Sequence, residues 1–106
     1  MASLEQLRAL CGGPRDGALL RLSIANVLLG AGERDAAIAE LREALRFDAG
    51  YSAAWKALGR ALADAGESRN AIAAYEAGIA AARERGDKQA EKEMIVFLKR
   101  LEKARS

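Results

Sequence analysis

The chain has 106 residues and a formal charge of +2, which allows one domain with a single modest core. Hydrophobic types make up 51% of it, chiefly Ala and Leu, while aromatics are 5% and Pro occurs once; that balance disfavours β-sandwiches and barrels and suits a helical protein. Histidine is absent and the single Cys cannot close an intramolecular disulfide, so the commonest general base and a disulfide framework are both excluded.

The first predicted helix covers residues 3–12. Ser3 and Gln6 stand three apart at its start, the spacing of a capping box. Gly12-Gly13-Pro14 breaks it, and Asp16 or Gly17 is placed to cap a second helix over 17–30. Gly32 turns the chain into a third helix, 34–47. A fourth runs over 52–65, Gly66 turns into a fifth over 68–85, and a sixth covers 87–104. Charge is uneven along this series: from Arg83 onward eight basic residues against five acidic give a net +3, leaving −1 for the remainder.

The elements repeat. Ala31-Gly32-Glu33 with Ala37-Ile38-Ala39 returns as Ala65-Gly66-Glu67 with Ala71-Ile72-Ala73, at an offset of 34 residues. Leu4, Ile38 and Ile72 form one column of this period; Leu7, Leu41 and Tyr75 form a second; Cys11, Leu45 and Ile79 form a third. Within each copy the columns follow the spacing of one helical face, so residues 3–12 stand as the second helix of an incomplete repeat. Small residues at 25, 37, 44, 59, 71 and 78 let paired helices approach closely, and larger ones at 24, 28, 41, 45, 58, 62, 75 and 79 fill what remains.

These residues resemble the tetratricopeptide repeat (TPR), a helix–turn–helix unit of the same period. The copy at 52–85 places Trp55, Leu58-Gly59, Leu62, Ala71, Tyr75 and Gly78 on the expected positions. The copy at 18–51 places Ile24-Ala25, Leu28, Gly32, Ala37, Leu41 and Ala44 there, with Arg21 where the Trp would stand and no terminal Pro in either copy. The resemblance implies an all-α fold of antiparallel helices in a short right-handed TPR-type α-solenoid. Residues 3–12 then form an N-terminal half-repeat helix, 18–51 and 52–85 two full repeats, and 86–104 a C-terminal capping helix, all in one domain over 1–106. It further implies a concave groove lined by the first helix of each repeat, with Leu22, Asn26 and Leu29 from one repeat and Lys56, Arg60 and Asp64 from the next. Family members that grip the carboxylate of chaperone tails use a set of Lys, Asn and Arg; here Leu22, Ala57 and Glu91 stand at three of those places.

Nothing in the sequence supplies a catalytic constellation. No nucleophile–base pair, metal-ligand cluster or phosphate-binding glycine loop is present, so neither enzyme activity nor a cofactor or metal is expected. Glu40 and Glu43 are expected on a solvated face, and Cys11 and Trp55 in the core, since their repeat columns are packing positions. Lys88, Lys92, Lys99 and Lys103 share one helix face, interleaved with Glu91, Glu93 and Glu102; an ordinary charged outer face is the expected reading. Lys56 and Arg60, one turn apart, could together receive a carboxylate. Helix 17–30 is apolar or Gly apart from Arg21, Ser23 and Asn26, leaving Leu19, Leu22 and Leu29 to meet something outside its own core. The expected function is a non-catalytic protein-interaction module that holds a peptide segment or partner helix. A self-associating homodimer is the alternative, nucleic acid is disfavoured, and no membrane span or signal sequence is apparent, which makes the cytoplasm the expected compartment.

Overall fold

The computed structural model describes residues 2–105, and among them every regular element is an α-helix. The helices are α1 (Leu4–Arg8), α2 (Ala18–Gly30), α3 (Arg34–Phe47), α4 (Ser52–Asp64), α5 (Ser68–Arg85) and α6 (Lys88–Arg105). The chain divides into two compact units, Met1–Ala49 and Gly50–Ser106.

In the first unit, the capping box forms as its spacing predicts. Ser3 N–H donates to Gln6 Oε1 (2.8 Å), and Gln6 N–H donates to Ser3 Oγ (3.2 Å). The helix that follows is shorter than expected: α1 ends at Arg8, and residues 9–12 form turns rather than a continuation. The bonds there tighten to three-residue spacing, Leu10 N–H to Leu7 O and Cys11 N–H to Arg8 O (3.1 Å each), and Gly12 takes a φ of 81°. Gly12 N–H donates instead to Asp16 Oδ2 (2.8 Å), so the acid placed to cap α2 is turned back on the loop, and Gly17 is the N-cap of α2 without a side-chain hydrogen bond.

α2 and α3 pair through Leu20, Ile24, Ala25 and Leu28 on one side and Ala37, Leu41, Ala44 and Leu45 on the other, all buried. Leu4, Leu7 and Cys11 are partly buried beside them. The turn between the two helices is a Schellman closure: Glu33 N–H reaches Leu28 O (2.8 Å) and Gly32 N–H reaches Leu29 O (3.1 Å), with Gly32 at φ 78°. Its counterpart recurs in the second unit, where Glu67 N–H reaches Leu62 O (2.9 Å), Gly66 N–H reaches Ala63 O (3.0 Å), and Gly66 sits at φ 80°.

The second unit stacks α4, α5 and α6 around Tyr75, Ile79, Ala82, Ala90 and Met94, with Trp55, Ile95, Phe97, Leu98 and Leu101 closing over them. Two glycines set how near the helices come. A Cβ on Gly59 would lie 2.5 Å from the Tyr75 ring, and one on Gly78 would lie 2.5 Å from Met94 Sδ and 2.6 Å from Trp55 Cβ. Asp87 caps α6 by accepting from Ala90 N–H (3.1 Å) and also accepts from Ser52 Oγ (2.8 Å), so one carboxylate joins the starts of α4 and α6.

Candidate functional site

The expected partner-contacting residues fall in both units. On α2, Asn26 is exposed while Leu22 and Leu29 are half-buried. The helix has filled its core contacts with Leu20, Ile24 and Leu28 and still shows apolar surface, most of all at Leu19, which is 69% exposed. Arg21 shares this helix but is directed inward, where the repeat pattern calls for Trp. Its Nε and Nη2 grip both oxygens of Asp16 (2.9 and 2.8 Å), and its Nη1 reaches Glu40 Oε1 (2.8 Å). The guanidinium also lies 5.9 Å from the centroid of Phe47, and Arg46 lies 5.8 Å from the same ring.

That network overturns the expectation of Glu40 and Glu43 as a solvated carboxylate pair. Glu40 is engaged by Arg21 and Glu43 by Arg46 Nη2 (2.6 Å), so neither acid is free for general acid–base work. The Asp16 carboxyl is held well below the usual carboxylate range, first by the Arg21 hydrogen bonds and then by Gly12 N–H. Arg21 is raised correspondingly by Asp16 and Glu40. The one sequence signal for this cluster was a cation in the Trp column.

In the second unit, Lys56 and Arg60 do not act as two equal cations. Lys56 Nζ donates to Glu93 Oε1 on α6 (3.1 Å), whereas Arg60 is exposed one turn further along α4 with Asp64 exposed beyond it. Tyr75 and Phe97 lie behind this stretch with ring centroids 5.8 Å apart, and Arg100 stands 6.0 Å over Phe97. Burial pushes the Tyr75 hydroxyl up from its ordinary value, and the positive field of Arg60 partly offsets the rise. Chemically, this end of α4 offers an exposed cation near the buried Tyr75, and α2 offers aliphatic surface with one amide. Among the described residues no group of His, Cys, Asp and Glu is arranged to hold a metal ion, and no helix is long and apolar enough to cross a membrane.

No family model matches the chain. A TPR repeat-containing protein of Pseudomonas aeruginosa, PA0015, is 43% identical over 103 residues, which is 97% of this chain and 98% of the relative. Among solved structures, the solution structure of protein BPP2914 from Bordetella parapertussis has a TM-score of 0.82 at 42% identity, with 98% of this chain and 90% of that one covered. A tetratricopeptide repeat domain protein from Salinibacter ruber has a TM-score of 0.78 at 26% identity, covering 84% of this chain and 89% of that one.

Proposed function

The chain belongs to the tetratricopeptide repeat family, and from that premise we propose that it is a non-catalytic interaction module that holds a peptide segment or helix of another protein. Its repeats are then 18–51 and 52–85, with residues 86–104 as the cap. Residues Leu22, Asn26 and Leu29 of α2 and Lys56, Arg60 and Asp64 of α4 are the contact residues in this reading, and the cytoplasm is its compartment. The observation that supports it most is the apolar surface of α2 that remains after its core contacts are made: Leu22 and Leu29 stay half-buried and Asn26 exposed. Family proteins typically serve as interaction modules, which agrees with that surplus.

Arg60 rather than Lys56 is the cation offered to an acidic ligand group, because Lys56 already answers Glu93. Micromolar affinity, about −8 kcal/mol, is expected of a contact surface only two repeats long. A photo-crosslinking amino acid at Asn26 or Arg60 tests the reading, with exposed Ala73 and Ala80 of α5 as control positions. In lysate of the source cell, one partner should cross-link from Asn26 and Arg60 and not from the controls. Equal labelling from all four positions would sink the assignment of these surfaces.

Leu19 favours the homodimer as a second reading, since an aliphatic side chain so exposed on α2 suits a symmetric contact. Sedimentation at micromolar concentration decides it: a monomer excludes the dimer, and a dimer lost in Leu19→Glu locates it.

A further inference from the structure

The sixth helix has a face that the partner reading above does not use. Ala90 and Met94 are buried, and Phe97, Leu98 and Leu101 pack on the core of the unit, which marks the inner side of α6. At 3.6 residues per turn, the line opposite them is Lys88, Lys92, Val96, Lys99 and Lys103, every one exposed. Two acids that interleave with these lysines in the sequence leave the line in the structure. Glu91 Oε2 accepts from Arg83 Nε on α5 (2.6 Å), and Glu93 Oε1 accepts from Lys56 Nζ on α4 (3.1 Å), so each flank turns its carboxylate to a neighbouring helix. Glu102 lies at the rim, and the centre line holds lysines and one valine that is 45% exposed.

The repeat period says what shape fits there. Counting back 34 residues, Lys92 and Val96 fall in the columns of Leu58 and Leu62, both buried on α4 where it pairs with α5. On α6 these two columns are exposed, and a lysine and a valine stand where α4 has buried leucines. We propose that this outer face of α6 docks an acidic helix of a partner protein. Carboxylates of that helix meet the Lys88/Lys92 and Lys99/Lys103 pairs, and an apolar residue covers Val96 between them, over a span of about 22 Å. A phosphate backbone or lipid headgroups would engage the lysines but leave Val96 without a contact, whereas a protein helix covers both.

The test uses the full chain and fluorescence anisotropy of a labelled Ala-rich helical peptide, with Glu at the spacing of the four lysines and Leu opposite Val96. A control peptide has the same composition with its Glu residues spread around the helix. The patterned peptide should bind about tenfold more tightly than the control. Lys92→Glu with Lys99→Glu should weaken it about tenfold, and Val96→Asn about fivefold, with helicity and melting unchanged. Should the charge reversal unfold the chain, Lys92→Gln with Lys99→Gln replaces it, with the same direction expected. Equal binding of both peptides, a silent Val96→Asn, tighter binding to a duplex DNA oligonucleotide or phosphatidylserine vesicles, or a dimer of this chain lost in the lysine variants would each overturn the proposal.

Discussion

Arg21 shows how much one side chain can replace. In the second unit the corresponding column holds Trp55, whose rings fill space, whereas here a guanidinium fills it by binding Asp16, Glu40 and the face of Phe47. Both acids depend on it, since their side chains are mostly shielded from water. Arg21→Met keeps the aliphatic stem but leaves two carboxylates without their partner, so it should lower unfolding free energy in urea by about 2 kcal/mol. Adding Asp16→Asn and Glu40→Gln should restore part of that loss. Asp16 also sets a pH dependence. Its folded-state carboxyl is held below the ordinary value of about 3.9, so its contribution is complete above that value and declines as pH falls, because the unfolded chain takes up the proton first. The melting temperature should accordingly drop between about pH 5 and about pH 3, and Asp16→Asn should flatten that drop. Asp87, lowered by Ala90 N–H and Ser52, adds a slope of the same sign.

For the helices, glycine position predicts the effect of a methyl group. Gly30 ends α2 with nothing near its missing Cβ and no positive φ, so Gly30→Ala should stabilise by about 0.5 kcal/mol. Gly78→Ala drives a carbon into Trp55 Cβ, which is tied to its own backbone, and should cost about 2 kcal/mol. Calorimetry on the two variants would show opposite shifts. The paired helices and their turns were legible in the sequence because small and large residues alternate by column and because Gly32 and Gly66 mark the reversals. The extent of α1 was not. Ala9 and Leu10 have good helical propensity yet lie in turns, beside a loop in which Asp16 Oδ2 accepts from Gly12 N–H, a contact that no local propensity encodes.

For the whole molecule, family membership was readable from the period of the chain, but the division of labour among its charges was not. Lys56 and Arg60 look alike in sequence; only the placement of Glu93 on α6 separates a bridged lysine from an open arginine. Arg60→Glu should therefore weaken partner capture more than Lys56→Gln does, by about tenfold against about twofold, read by pull-down at matched salt. The same holds for Glu91 and Glu93, which the structure pairs with Arg83 on α5 and Lys56 on α4. Burial of Met94 has a consequence of another kind. Its thioether is wholly shut off from solvent and abuts the bare backbone of Gly78. Peroxide can reach that sulfur only while α6 has lifted, so the rate of sulfoxide formation at Met94, followed by peptide mass, is a clock for how often the last helix comes away.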